Sequence, residues 1–270
     1  MRIHIVSDVH GATQDLANAA HGSDLFVCLG DLLLYLDYED PHLGAFAEVF
    51  GAQTASDYIA LRLDKRFDEA RALTAARWEA ISGGESQQER MVVFSGIIER
   101  QYREIFDAMP RPAVLTYGNV DVPSLWARFV KPEHTVIDGG VVEVGGLRLG
   151  FVGSGLHSPY RTPNEITDEL FAAKLSELGK VDILFTHIPP SVAELTFDVV
   201  ARRFEVGSPS LLEWISDMAP RYAFFGHVHQ PLAQRVRLGR TECINVGHFR
   251  RTRRPYVIDV EPIRSSTDGQ

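Results

Sequence analysis

Seven side chains able to hold a metal ion are scattered along this chain: Asp8, His10, Asp31, Asn119, His187, His227 and His229. Together they offer carboxylate and amide oxygen and imidazole nitrogen, with no thiolate. That mixture suits divalent ions of the first transition row, since calcium takes oxygen alone and structural zinc sites are built on cysteine. Seven ligands exceed the needs of one such ion and match two that share a bridging carboxylate. Two ions ~3.5–4 Å apart clamp the attacking and leaving oxygens of an in-line displacement at phosphorus. Any one of these histidines alone is more readily read as a surface or satisfied core residue than as a ligand. As a set they would form a costly polar cluster unless a cation balanced them.

Each of these residues follows an apolar run. Ile3-His4-Ile5-Val6-Ser7 leads to Asp8-Val9-His10, Leu25-Phe26-Val27-Cys28-Leu29 to Gly30-Asp31, and Val114-Leu115-Thr116-Tyr117 to Gly118-Asn119-Val120-Asp121. Ile183-Leu184-Phe185-Thr186 leads to His187, and Tyr222-Ala223-Phe224-Phe225 to Gly226-His227-Val228-His229. Such runs read as buried strands, and in layered α/β proteins ligands bind beyond the carboxyl ends of strands. Five strand ends are therefore expected to converge. Pro189 and Pro190 stiffen the loop after His187, because proline fixes φ and removes a backbone donor. Ser208 is placed to cap a helix that ends before Pro220.

The order Asp-x-His, Gly-Asp, Gly-Asn-x-Asp, His, Gly-His-x-His resembles that of the calcineurin-like metallophosphoesterases, over most of the chain. The resemblance implies a first metal held by Asp8, His10 and His229, a second held by Asn119, His187 and His227, and Asp31 as the bridge. It implies two divalent metal ions, manganese first, with iron, zinc or nickel as alternatives. A hydroxide held between them, its pKa lowered by their charge, is the expected nucleophile on a small-molecule phosphoester, with Asp31 and Asn119 at the catalytic centre.

Many relatives carry His where this chain has Val120, and valine can neither protonate a leaving group nor steady a phosphate. Losing a general acid costs on the order of 10²–10⁴ in rate for a poor leaving group. The departure tilts the expectation toward the small bacterial-type phosphodiesterase branch. His248 and His157, each on a loop after a strand, are candidate replacement donors, with exposed loop histidines as the alternative for both. Asp121 is expected to orient Asn119 or its loop rather than touch a metal.

Residues 32–110 hold more chain than one helix and strand need. A helix is expected from Ser56 to Ser82, with Ile59, Leu63, Phe67, Ala70, Trp78 and Ile81 on one face and a stop at Gly83-Gly84. A second opens in a capping box of Ser86 and Glu89 and stops at Pro110. The pair reads as an antiparallel hairpin. This insertion leaves and re-enters beside two ligand loops, so it reads as a lid, as the interface of a homodimer, or as packing on the core flank. Tyr35, Asp37 and Tyr38 are the places to look for substrate contacts.

Strands expected near Val136, Val141–Val144, Leu147–Val152, Leu232–Val236, Thr241–Asn245 and Tyr256–Val260 complete an α/β (α+β) four-layer sandwich. In it two mixed β-sheets pack face to face, flanked by helices. Asp138-Gly139-Gly140, Gly145-Gly146 and Leu238-Gly239-Arg240 read as hairpin turns. With 270 residues and 45% hydrophobic content, one core needs no crosslinks. Cys28 and Cys243 read as core packing. Residues 1–264 are expected to be one domain carrying the insertion, and 265–270 a disordered tail. No apolar leader or membrane-length run stands out, so a cytoplasmic protein without a membrane partner is expected.

A net charge of −9 argues against nonspecific nucleic-acid binding. Arg250, Arg251, Arg253 and Arg254 form a basic cluster in which Arg250 and Arg251 are candidate contacts for a second phosphate or a nucleotide, a solvated turn being the alternative. Three readings stay open: a phosphodiesterase, a metal-dependent nuclease, and a metal-binding scaffold with little turnover.

Overall fold

Along the first strand, Arg2–Val6, side chains alternate between two faces. Ile3 and Ile5 enter one apolar core, while His4 turns away and its Nδ1 meets the Ala19 carbonyl at 2.8 Å. The same period-2 alternation sends Val27, Leu149, Phe151, Ile183, Phe185, Phe224 and Ile244 into that core. The computed structural model describes residues 1–82 and 87–261. The expected Gly83-Gly84 stop, the Ser86 cap and the 265–270 tail lie outside the described residues.

Two mixed β-sheets carry this pattern. In the first, Tyr256–Asp259, Arg2–Val6, Leu25–Cys28, Ala113–Leu115 and His134–Val136 lie side by side, parallel except for Tyr256–Asp259. In the second the order is Arg235–Leu238, Thr241–Asn245, Tyr222–Phe225, Ile183–Thr186, Leu147–Val152 and Gly140–Val144. Its four inner strands are parallel and its two edge strands antiparallel. One cluster of fully buried side chains joins both sheets, so they pack face to face. The helices Asp168–Glu177 and Pro209–Met218 cover the outer face of the second sheet through Phe171, Leu175, Leu211 and Ile215. Thr167 and Ser208 cap these two helices, accepting from the N–H groups of Leu170 and Leu211. Cys28 and Cys243 are buried free thiols.

One expected turn and one expected strand differ. Asp138–Gly140 is a crossover, because His134–Val136 belongs to the first sheet and Gly140–Val144 to the second. Asp138 Oδ1 accepts from the Gly153 N–H at 2.9 Å there. The Asp-Gly-Gly chemistry that permits a hairpin serves equally to change sheets. The strand expected at Leu232–Val236 starts at Arg235 instead, since the N–H groups of Leu232 and Ala233 are taken by the carbonyls of Phe197 and Glu194.

The chain divides into two compact units, Met1–Leu32 with the described part of Ala108–Gln270, and Leu33–Asp107. In the second unit the single helix expected from Ser56 to Ser82 is two, Ala52–Leu63 and Phe67–Ser82. Lys65 ends the first in a left-handed conformation, φ 60°, with the Arg66 N–H on the Leu61 carbonyl and the Lys65 N–H on the Arg62 carbonyl. This is a Schellman stop without its usual glycine, which is why the sequence conceals it. A further short helix, Ala45–Phe50, supplies Phe46 and Phe50 to an aromatic cluster with Tyr58, Trp78 and Phe94. Among the described residues no helix is long and apolar enough to cross a membrane.

Candidate metal centre

All seven candidate ligands fall at one edge of the sandwich, and all belong to the first unit. The loops that carry them are stitched together by backbone bonds. The Asp8 N–H donates to the Gly30 carbonyl at 3.1 Å and the His10 N–H to the Asp31 carbonyl at 3.0 Å. The His227 N–H donates to Asp8 Oδ2 at 3.0 Å. Close approach needs residues without a Cβ: one at Gly226 would sit 2.0 Å from Ser7 Oγ, and one at Gly118 2.1 Å from Asp31 Oδ1.

The side chains separate into two groups. In one, His10 Nε2 and His229 Nε2 are 3.4 Å apart, and Asp8 Oδ1 is 3.4 Å from His229 Nε2 and 3.9 Å from His10 Nε2. In the other, Asn119 Oδ1 lies 2.9 Å from both His187 Nε2 and His227 Nδ1. Asp31 Oδ2 stands between them, 4.0 Å from His10 Nε2 and 3.4 Å from His187 Nε2. Its other oxygen accepts from the Val120 N–H at 2.9 Å. His187 Nδ1 faces the Leu29 carbonyl at 2.9 Å. A carbonyl only accepts, so Nδ1 carries a proton, and when the ring is neutral it is Nε2 that turns a lone pair toward the cluster.

These buried charges balance each other. Burial by itself would push the His187 imidazole down, but the carboxylates of Asp31 and Asp8 and the Leu29 carbonyl hold it up at about 9. Burial likewise opposes charge on Asp8, yet His229, His187 and His10 keep its carboxyl well below the usual range. Asp31 is lowered against burial by His187 and His10. Asp121 goes the other way, to about 7, pushed up by burial and by Asp31. Its Oδ2 accepts from the N–H groups of Asp31 and Gly118, both at 2.8 Å, and its Oδ1 from Leu32 at 3.0 Å. Asp121 thus pins the Asp31 turn to the Gly118 turn and does not face the cluster.

The residues suit two divalent cations. Asp8 Oδ1 is buried without a hydrogen-bond partner. Asp8, His10 and Asp31 present ligand atoms all within 4.8 Å of one another, as do His10, His229 and His248. The oxygen and imidazole donors are those that first-row ions prefer.

No family model matches this sequence, and no curated protein matches it. A solved structure described only as a crystal structure shares the fold, with a TM-score of 0.57 at 14% identity, covering 92% of this chain and 91% of that one. A Staphylococcus aureus protein described as a 5'-nucleotidase in complex with alpha-ketoglutarate aligns over 91% of this chain and 48% of its own, at 15% identity and a TM-score of 0.42. Purple acid phosphatase PPD1 from yellow lupin (Lupinus luteus) seeds aligns over 98% and 46%, at 14% identity and a TM-score of 0.42. This chain spans about half the length of those two proteins. Similarity at the first of these levels speaks for the fold alone, and the other two carry no weight.

The remaining candidates fall in different places. His248 joins the cluster: its ring stacks on His229 with centroids 3.9 Å apart and meets His10 edge-on at 5.6 Å. Both its ring nitrogens are buried without a hydrogen-bond partner. Burial, then the neighbouring His229 and His10, push it down to about 2, so the ring stays neutral. His157 is exposed, and its backbone N–H donates to the Ile166 carbonyl at 3.1 Å. Tyr35 belongs to the second unit, where its ring packs against Phe46 and Phe94.

Arg250 straps the first ligand loop. Its Nη1 donates to the His10 carbonyl at 2.9 Å and its backbone N–H to the Asp8 carbonyl at 3.1 Å. Arg253 pairs with Asp15 at 3.1 Å. Arg251 lines a cleft of about 430 Å³ beside His229, with Gln230, Gln234, His248 and Thr252. Missed in the sequence were Thr162, whose Oγ1 accepts from Asn119 Nδ2, and Glu165, to which that hydroxyl donates. A loop threonine 43 residues from its partner leaves no local signal.

Proposed function

We propose that this protein is a dinuclear-metal phosphoesterase, and within that class a phosphodiesterase acting on small or nucleotide-like substrates. Asp8, His10 and His229 would hold one ion, Asn119, His187 and His227 the other, and Asp31 both. The observation that supports this most is Asp31 Oδ2, one carboxylate oxygen standing between His10 Nε2 at 4.0 Å and His187 Nε2 at 3.4 Å. Two bound divalent ions, manganese first and iron, zinc or nickel otherwise, supply Lewis acidity and a water of lowered pKa.

The protein's own groups set what such a centre accepts. The Leu29 carbonyl fixes the His187 tautomer, and the Val120 N–H occupies Asp31 Oδ1 so that Oδ2 is the oxygen left to share. Val120 offers no side-chain proton to a departing oxygen, which favours esters whose leaving group is a weak base. Arg251, Gln230 and Gln234 line the cleft beside His229, so that wall brings a guanidinium and two amides to a second phosphate or another acidic or polar part of the substrate.

Purified protein supplied with manganese is expected to cleave bis-p-nitrophenyl phosphate. Asp31→Asn should abolish that turnover and lower the metal content measured on the unstripped protein. Turnover by Asp31→Asn at the wild-type rate would remove the shared-carboxylate assignment. No turnover with manganese, iron, nickel or zinc would leave a metal-binding scaffold.

A further inference from the structure

Asn119 has two ends of nearly equal size and opposite chemistry. Its amide oxygen has lone pairs to give a cation, and its NH₂ has none. A half-turn of the side chain exchanges them, so which end faces His187 and His227 decides whether Asn119 can serve as a ligand at all. In the structure Oδ1 faces the two imidazoles, 2.9 Å from each, and Nδ2 lies 3.0 Å from Thr162 Oγ1.

The reason for that choice lies beyond Asn119. Thr162 Oγ1 is 2.7 Å from Glu165 Oε1. An ionised carboxylate only accepts, so the threonine proton goes to Glu165 and the hydroxyl keeps only lone pairs for Asn119. Nδ2 satisfies those lone pairs, whereas Oδ1 in its place would meet oxygen with oxygen. Glu165 is itself held in position. Its Oε1 also accepts from Ser158 Oγ at 2.6 Å and from the Thr162 N–H at 2.9 Å, and its Oε2 from the Ser158 N–H at 2.9 Å. Backbone bonds fasten the same loop to the candidate ligand. The Asn164 N–H donates to the Asn119 carbonyl and Asn164 Nδ2 to the Gly118 carbonyl, both at 2.9 Å.

We infer that Thr162 and Glu165 are positioning residues whose one-way hydrogen-bond relay, Asn119 Nδ2 to Thr162 Oγ1 to Glu165, turns the Asn119 oxygen toward the second metal site. The inference rests on the two-metal reading above. It makes the second site depend on a hydroxyl outside the seven candidate ligands, while the site of Asp8, His10 and His229 does not depend on it.

The test is titration of metal-free protein with Mn²⁺, following free Mn²⁺ by electron paramagnetic resonance and heat by calorimetry. Wild type should take up two equivalents. Thr162→Val, which removes only the hydroxyl, should keep one equivalent at wild-type affinity and bind the other about 10–100-fold more weakly, the usual scale for losing a ligand's supporting hydrogen bond. Thr162→Ser should restore the second equivalent. Glu165→Gln, which can donate to Thr162 as well as accept from it, should weaken the second equivalent and spare the first. Melting of each metal-free variant reports folding, and if Thr162→Val does not fold, Glu165→Gln decides by the same criterion. Wild-type affinities for both equivalents in the variants, equal weakening of both, or no rescue by serine would overturn the relay while leaving the two-metal reading in place. A wild type that binds fewer than two equivalents would remove that reading, and the relay with it.

Discussion

Asp8, His10, Asp31 and His227 all adopt positive φ, at 56°, 41°, 53° and 67°. Aspartate and histidine tolerate that region better than most residues, yet each such placement still costs on the order of 1–3 kcal/mol and persists only where the surroundings enforce it. Here the enforcement is visible: each of the four backbone N–H groups is bonded, to Gly30, Asp31, Asp121 and Asp8 in turn. Val120 is the residue at which the proposed centre has no side-chain proton donor. Its N–H serves Asp31, but its isopropyl group has no proton to donate. Val120→His should therefore raise kcat for monoesters with poor leaving groups far more than for p-nitrophenyl esters, by up to about 10²-fold. The ratio of phenyl phosphate to p-nitrophenyl phosphate turnover measures this, and an unchanged ratio would mean that proton donation is not what limits the rate.

At the scale of elements, parallel strands end together and deliver short polar loops to one edge. How closely those loops approach depends on a few positions. The turn after Tyr222–Phe225 lies against the end of the first strand, where a Cβ on Gly226 would meet Ser7 Oγ at 2.0 Å and Asp8 Oδ2 at 2.4 Å. Gly226→Ala must push two ligand loops apart. Urea unfolding should show a loss of about 1–3 kcal/mol, the usual cost of overpacking, together with weaker metal binding. Retained stability and metal content would mean that the loops are free to yield. The four-residue helix Phe249–Thr252 works at the same scale, since the N–H groups of Phe249 and Arg250 hold the carbonyls of Ser7 and Asp8.

Across the whole molecule, the proposed metal ions and protons would act on the same cluster. A cation that binds only the folded chain stabilises it by about 2.7 kcal/mol at a hundredfold excess over Kd. Chelation should thus lower Tm, and added manganese should raise it in a concentration-dependent way. In the metal-free protein two histidines set opposite pH limits. His187, raised from 6.5 to about 9 against burial by Asp31 and Asp8, contributes stability that is complete below pH 6.5 and lost as pH rises through 9. His248, lowered from 6.5 to about 2 by burial and its two histidine neighbours, works in reverse. Below pH 6.5 the unfolded chain binds a proton there that the folded chain refuses, so stability falls with pH. The metal-free stability curve should peak near pH 6.5. His248→Gln should flatten its acid side between about pH 6 and 4, as followed by urea unfolding at each pH. An acid limb unchanged by that substitution would assign the loss to other groups.

The candidate ligands could be read from the sequence because each carries a local mark, an apolar run that ends in a small residue and a polar side chain. The alternation of Ile3, His4 and Ile5 likewise made the strands legible. What reached across the chain was not. The change of sheet at Asp138–Gly140, the strapping of His10 by Arg250 and the stacking of His248 on His229 have no neighbour in sequence to announce them, and the left-handed Lys65 that divides a helix is local but lacks the glycine that would mark it. The sequence by itself determined which groups could bind metal and the strands that bear them, since apolar periodicity and ligand chemistry are local properties. Only the tertiary structure decided that Asp31 stands between two sets of candidate ligands, and that Thr162 and Glu165 meet the amide of Asn119. Hydrogen-bond direction is fixed by which groups meet in space, and that follows from the fold rather than from order along the chain.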